Sequence, residues 1–452
     1  MGECMAEAII LARLRAGELA GSVHLKLSEG LDAFPPEIFS LADTLEILDL
    51  SGNALTSLPK ELPRLHKLRV LFCSGNPFTE LPEVLGRCPQ LEMVGFKSCR
   101  IERVPDAALP SQLRWLILTD NCIAELPAEL GRCARLQKLM LSGNRLRALP
   151  ESLADCARLE LLRIAANQLE ALPDWLFRLP RLAWLAYAGN PFCDRLEAAA
   201  LAATPVCDIP WDELTLAEKL GEGASGVIHR AHWRQADGET AVAVKLFKGA
   251  VTSDGLPHSE MTACLHACNH AGLIPVLGRV AGHPQAATGL VLELVGPGLT
   301  NLAGSPSLES CTRDVYSPDS RFTPETLLGL ARGIADAVAH LHAQGVVHGD
   351  LYGHNILHDG AGHALLGDFG AASFLAPENA AAMQRIEVRA FGCLLEELLA
   401  RCDGLSASEQ TALFQLRESC LQPKVGERPS LSAVVQRLDA LGRNRRRSFK
   451  KP

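Results

Sequence analysis

Four short stretches carry side chains suited to handling phosphate. ELTLAEKLGEGASGVIHRAHW holds Gly221, Gly223 and Gly226 as G-x-G-x-x-G, followed by Ile228, with a strand expected on each side. Backbone N–H groups in such a turn can close on phosphates only where no Cβ intrudes. A dinucleotide site uses the same three glycines, but a helix would follow directly, whereas these flanks read as the two arms of a hairpin. AVAVKLF comes next, an alternating strand that carries Lys245. Further on, HGDLYGHNIL (His348 to Leu357) sets Asp350 and Asn355 five apart, and GDFG adds Asp368, Phe369 and Gly370.

In this order the motifs resemble those of protein kinases. EVRAFGCLLEELL (Glu387 to Leu399) is similar to the helix behind the substrate lobe, and CLQPKVGERPS (Cys420 to Ser430) to the late segment with its buried arginine. The likeness covers about residues 211–441. It implies that the three glycines and Ile228 cover ATP, and that Lys245 holds the α- and β-phosphates while pairing with a helical glutamate. Glu260 is the candidate, being the only Glu between Glu239 and Glu293. Asp368 and Asn355 would hold Mg²⁺ (or Mn²⁺), and Asp350 would accept the proton of the attacking hydroxyl. Leu292, Glu293 and Val295 correspond to gatekeeper and hinge, and Ala243 and Leu357 would sandwich the adenine.

Three departures from the family pattern bear on the acceptor. Gly349 replaces the Arg usual before the catalytic Asp, and Tyr352 replaces the Lys that steadies the transferring phosphate. His354 stands where tyrosine kinases carry a compensating Arg; it would serve when protonated and do nothing as a neutral loop imidazole, and both readings stay open. Between Asp368 and the APE of LAPE (Ala376 to Glu378) lie only a few residues, so the platform for a protein substrate is cut short. The resemblance implies that Glu378 still meets Arg428. The reading is a protein Ser/Thr kinase. The alternatives are a small-molecule kinase of the aminoglycoside-phosphotransferase type, which shares the HGD form of the loop, and a catalytically silent pseudokinase scaffold.

The first half of the chain is built differently. Leu45, Leu68, Leu91, Leu113, Leu136, Leu159 and Leu182 stand 23, 23, 22, 23, 23 and 23 residues apart. Asn recurs eight residues after each opening Leu, at Asn53, Asn76, Asn121, Asn144, Asn167 and Asn190, with Cys99 in the place once. The phrase resembles the 23-residue leucine-rich repeat. Each L-x-x-L-x-L turns Leu inward from a short strand, and the Asn amide ties the turning backbone. One repeat cannot bury its apolar face alone, so stacked units share a core and need caps. Cys88, Cys133 and Cys156 fall at equivalent positions and read as core thiols. The third strand residue should face the concave side; there Ile47, Val70, Met93, Trp115, Leu161 and Trp184 form an apolar ladder interrupted by Lys138. That ladder is expected to bind a protein partner or substrate, or the chain's own second half.

The fold class expected is therefore an α/β leucine-rich-repeat solenoid plus an α+β bilobal protein-kinase-like domain. The divisions are a capping helix at 1–21, repeats at 22–204, a linker at 205–210, the kinase-like domain at 211–441 and a basic tail at 442–452. The whole resembles a bacterial leucine-rich-repeat protein kinase, a source that heavy use of Ala, Leu and Arg also suggests. With 452 residues, 48% of them hydrophobic and 21% charged, the chain is neither a small stapled scaffold nor mainly disordered. A net charge of −8 supplies no field toward nucleic acid or an anionic membrane. No apolar run approaches a membrane span. Fifteen cysteines without a C-x-x-C, and no apolar signal segment ahead of them, point to a reducing cytoplasm. Cys264, His266, Cys268 and His270 alternate on one expected helix, with their i,i+4 pairs on different faces, so they read as packing and surface groups rather than a metal site. RNRRRSFKKP reads as a solvated end.

Overall fold

A computed structural model describes residues 10–448 except Ala224, Ala250 and Cys268; the first nine residues of the expected cap and the last four of the basic tail lie outside the described residues. The chain forms two compact units, Met1–Leu179 and Pro180–Pro452. The division falls earlier than the expected 204/205, so the last repeat phrase, from Leu182, belongs to the second unit.

In the first unit residues 10–15 are helical (α1). Seven three-residue strands follow, β1 (His24–Lys26), β2 (Ile47–Asp49), β3 (Val70–Phe72), β4 (Met93–Gly95), β5 (Trp115–Ile117), β6 (Lys138–Met140) and β7 (Leu161–Arg163). They pair in parallel in chain order, so Ile47, Val70, Met93, Trp115, Lys138 and Leu161 are direct neighbours across the sheet. Proline stops each return: Pro82, Pro105, Pro127, Pro150 and Pro173 sit at the start of short 3₁₀ turns. The asparagines form a ladder. Asn76 Nδ2 donates to Leu50 O and Cys73 O, both at 2.9 Å, and its Oδ1 accepts from Leu55 N at 2.9 Å. Asn121, Asn144 and Asn167 repeat the pattern. The residue before each rung is left-handed, and Gly52, Gly75 and Gly143 take that backbone without strain while Ser98, Asp120 and Ala166 bear it. Cys88, Cys133 and Cys156 are buried, and burial lifts their thiols to about 11, 11 and 12.

The apolar ladder requires correction. Val70, Met93 and Leu161 are buried, and only Ile47, Trp115 and Lys138 remain half-exposed. Strands about 5 Å apart let neighbouring side chains cover one another. Lys138 also lays its ammonium 4.1 Å from the centre of the Trp115 ring, a cation–π contact that caps the larger of the two apolar groups.

The second unit opens with β8 (Trp184–Ala186) and α2 (Pro191–Ala203). A six-stranded sheet follows, made of β9 (Asp208–Pro210), β10 (Leu214–Glu222), β11 (Gly226–Gln235), β12 (Gly238–Phe247), β13 (Val276–Ala281) and β14 (Gly289–Glu293) in the order β10-β11-β12-β14-β13-β9. Residues 208–210, read as linker, thus add a strand parallel to β13. Ile209, Leu214, Ala231, Val242, Val244, Val280 and Val291 form the core under this sheet. Helix α3 (Pro257–His266) lies between β12 and β13 in sequence. The larger lobe holds β15 (Thr300–Asn301), α4 (Pro324–Ala343), β16 (Val346–Val347), β17 (Ile356–His358), β18 (Ala364–Leu366), β19 (Ser373–Phe374), α5 (Ala380–Leu399), α6 (Ala407–Cys420) and α7 (Leu431–Ser448). Thr323 caps α4, and a reciprocal Ser406–Glu409 box caps α6. No helix among the described residues is long and apolar enough to cross a membrane.

Candidate active site

The glycine turn joins two long antiparallel strands. Gly223 N donates to Gly226 O at 2.9 Å, and Gly226 is held against β12, where a Cβ would lie 2.5 Å from Leu246 O. Gly221 and Gly223 have open space around them, room that a bound group could occupy. Register places Ile228 opposite Lys245 and Ala243 opposite Leu292.

Lys245 donates to Glu260 Oε1, so β12 and α3 are tied by an almost fully buried ion pair. Burial pulls the lysine down, but the charges of Glu260 and Asp368 outweigh it and hold the ammonium above its ordinary value. Together with Gly223, Ser225, Gly226, Ile228 and Asp368 the pair lines a cleft of about 170 Å³. The cleft runs deeper than expected, past Leu292 to Cys264, Ala267 and Leu273; Ala243, Glu293, Val295 and Leu357 are not among its lining residues. Glu293, Val295 and Leu357 instead stand on or beside β14 and β17, with Glu293 exposed and Ala243 packed inside the sheet.

Below the cleft, the loop from His348 to Asn355 is fixed from several sides. Asn355 Nδ2 donates to the carbonyl and to Oδ2 of Asp350. His348 Nε2 lies 2.8 Å from Gly367 O, and its ring 5.2 Å from that of Phe369. Asp368 has a left-handed backbone with φ 53°, a strained setting for a non-glycine residue, and its Oδ1 accepts from Gly370 N at 3.1 Å.

Sequence reasoning passed over Glu387. Its buried carboxylate accepts from His348 N at 3.3 Å and Gly349 N at 2.7 Å and meets His342 Nε2 at 2.8 Å. Burial pushes the group up, but His342, His348 and the Gly349 N–H together hold it below the usual carboxylate range. The signal was a lone acid on the apolar stripe of α5, among Met383, Ile386, Ala390 and Phe391.

His354 is paired through Nδ1 to Asp314 Oδ1 at 2.7 Å, and its N–H to Asp314 Oδ2 at 3.1 Å. Burial lowers its pKa, but that bond and the charges of Asp314, Asp350 and Asp368 more than compensate and leave it raised. Tyr352 stacks on Trp184, with ring centres 4.3 Å apart and planes 6° from parallel. Trp184, expected on an open face, is therefore buried against the catalytic loop. The Glu378–Arg428 contact is also corrected: Glu378 is exposed, and Arg428 donates to the carbonyls of Gln422, Arg385 and Pro180 at 2.8 to 3.0 Å. The shortened segment leaves that guanidinium to carbonyl partners, and burial lowers it to about 10.

Residues 214–403 match the family model for protein tyrosine and serine/threonine kinases, and residues 44–65 that for leucine-rich repeats. The second unit carries a protein-kinase domain. Among similar proteins, the serine/threonine-protein kinase mos of Xenopus laevis is 29% identical over 181 residues, 39% of this chain and 46% of that protein. The serine/threonine-protein kinase PkaA of Streptomyces coelicolor is 30% identical over 220 residues, 41% of this chain and 38% of that protein. Human serine/threonine-protein kinase A-Raf is 25% identical over 167 residues, 37% of this chain and 25% of that protein. The chain spans less than half the length of these relatives. Kinase domains in general use ATP with a divalent metal. The residues present fit that pair: a cleft between a glycine turn and a buried ammonium suits a nucleotide, and the Asp368 carboxylate with Asn355 Oδ1 offers oxygen donors to a hard cation. Among the described residues no cluster of three His, Cys, Asp or Glu could hold a metal. Cys268 of the alternating quartet lies outside the described residues, Cys264 lines the cleft, and His266 meets Thr204 and Gln344.

Proposed function

We propose that the chain transfers the γ-phosphoryl group of ATP to Ser or Thr hydroxyls of proteins, with its leucine-rich repeats recruiting the protein partner. The observation that carries this reading is the intact set: Lys245 paired with Glu260 in the cleft, and Asp350 braced by Asn355 in the loop that precedes Asp368. Lys245, charged and held by Glu260, orients the phosphates. Asp350 Oδ accepts the proton of the incoming hydroxyl, and the Asn355 amide keeps that carboxylate in one rotamer. Mg²⁺ or Mn²⁺ held by Asp368 and Asn355 would neutralise phosphate charge. The glycine turn, with Ile228, covers the nucleotide, while Val276, Leu290 and Leu292 offer the base an apolar wall. A reducing cytoplasm suits the fifteen cysteines.

One observation favours a second reading, transfer to a small hydroxyl compound: Glu378 follows Asp368 by only ten residues, which leaves little platform for a peptide. Purified protein incubated with labelled ATP and Mg²⁺ separates the readings. Label in phosphoserine or phosphothreonine supports the first, label in small acceptors the second, and none would favour the silent scaffold. Recruitment by the repeats rests on the half-exposed pair Ile47 and Trp115. Changing both to Ala should raise KM for a protein acceptor while leaving the KM for ATP unchanged.

A further inference from the structure

The segment from Trp184 to Thr204 is, by sequence, the last repeat and its following helix, yet its polar contacts run into the kinase domain. Trp184 Nε1 donates to Leu351 O at 3.0 Å, next to Asp350, while its ring covers Tyr352. Three residues on, Tyr187 Oη donates to Phe374 O at 3.0 Å and Tyr187 N to Ser373 Oγ at 3.4 Å. The strand therefore holds two stretches at once: the loop that carries Asp350 and the short stretch after Asp368. Helix α2 reaches the other half of the cleft. Glu197 Oε2 accepts from Ser259 Oγ at 2.8 Å, one residue before Glu260, and Thr204 Oγ1 lies 2.9 Å from His266 Nδ1 at the far end of α3. Trp184, Tyr187, Glu197 and Ser259 are all buried, so these bonds are made away from competing water.

From these contacts we infer that the segment Trp184–Thr204 is a built-in brace, and that Trp184, Tyr187 and Glu197 are positioning residues for phosphoryl transfer. The inference rests on the proposed activity. Its physical content is that two catalytic parts on different lobes, Asp350 and the Lys245–Glu260 pair, are held by one continuous piece of chain. A loop displaced by 1 Å can lose on the order of a hundredfold in rate, so a brace that fixes Leu351 and Tyr352 acts on turnover. A brace on α3 acts on the glutamate that holds Lys245, and so on nucleotide affinity. The two ends should therefore give different kinetic signatures.

The test uses the full chain and three conservative changes. Trp184→Phe keeps a ring over Tyr352 and removes the N–H to Leu351. Tyr187→Phe removes only the hydroxyl to Phe374, and Ser259→Ala only the donor to Glu197. Trp184→Phe and Tyr187→Phe should each lower kcat about three- to tenfold with the KM for ATP unchanged, and Ser259→Ala should raise the KM for ATP about threefold. Deuterium exchange of the amides at 348–355 should quicken in the first two and at 257–266 in the third. Wild-type kcat, KM and exchange in all three variants overturn the brace. So does a uniform fall in melting temperature that leaves kcat and KM per folded molecule unchanged. If wild-type protein transfers no phosphate to any acceptor, the proposed activity fails, and the exchange data alone then decide: quickened exchange at those two sites supports the brace, and unaltered exchange overturns it.

Discussion

Asn355 Nδ2 donates to Asp350 twice, to its carbonyl at 2.9 Å and to its Oδ2 at 2.8 Å. The five-residue spacing of HGDLYGHN thus closes a small ring in which the carboxamide fixes the carboxylate. Asp350→Asn should abolish phosphoryl transfer while nucleotide still binds, because the lost group handles the acceptor proton and not the phosphates. Lys245→Ala should weaken nucleotide binding and transfer together, since it also leaves Glu260 buried without its cation. Calorimetric titration with a non-hydrolysable ATP analogue, run beside the transfer assay, reads both quantities. Full turnover by Asp350→Asn would remove the catalytic assignment.

Ser373 is the only hydroxyl between Phe369 and Glu378, and it is 1% exposed. Gly349 offers no guanidinium to receive a phosphate there. Phosphatase treatment of the wild-type protein should therefore leave its activity unchanged. Ser373→Asp, which puts a charge beside Tyr187 N and Ala371 O, should lower melting temperature and activity alike. Activation by that substitution would contradict the reading.

The pH dependence of the His354–Asp314 pair follows from its raised pKa. A histidine whose folded value exceeds the ordinary 6.5 contributes stability that is complete below about pH 6.5 and is lost as pH rises through the raised folded value. Urea melts of wild type and His354→Gln should accordingly differ most at pH 6 and converge on the alkaline side of 6.5. A constant difference from pH 6 to 9 would mean that the imidazole stays neutral. Bound nucleotide, adding negative charge nearby, should carry the convergence to higher pH.

The repeats make a prediction of both signs. Asn76→Ala leaves the Leu55 N–H without its acceptor and takes a donor from Cys73 O, while Leu50 O keeps Asn53 Nδ2 at 2.8 Å, and should cost about 1–3 kcal/mol. At the defective rung, Cys99 Sγ makes only long contacts to Cys73 O at 3.5 Å and Lys97 O at 3.7 Å, and Phe78 N turns to Asn76 O instead. Cys99→Asn should restore the ladder and stabilise the protein by about 1 kcal/mol. Denaturant midpoints at equal m-value measure both changes, and a destabilised Cys99→Asn protein would show that the rung is already filled by other means.

Much of this architecture was legible. A strict 23-residue period fixes which Leu and Asn face inward, because stacking allows one register only, and the ladder asparagines are where the period puts them. That Lys245 and Asp368 would come to one cleft was legible because backbone motifs surround them. What escaped depends on partners distant in sequence. Trp115 and Trp184 occupy the same repeat position and look alike along the chain, yet one is half-exposed beside Lys138 and the other is sealed against Tyr352. No local pattern distinguishes a face that water covers from one that another part of the chain covers. Arg428 escaped for the opposite reason: resemblance supplied a partner, Glu378, that the shortened segment leaves exposed.

Gly349 has φ 73°, and a Cβ there would lie 2.5 Å from Ala371 O and 2.7 Å from Leu185 O. Those oxygens belong to backbone, so neither can swing aside as a side-chain tip would. Any side chain at this position, an arginine's included, would have to displace the backbone of Ala371 and of Leu185 together, from a left-handed conformation that only glycine takes freely. Restoring an arginine there, and with it a phosphate-responsive loop, would first require moving both the strand at 184–186 and the stretch at Ala371.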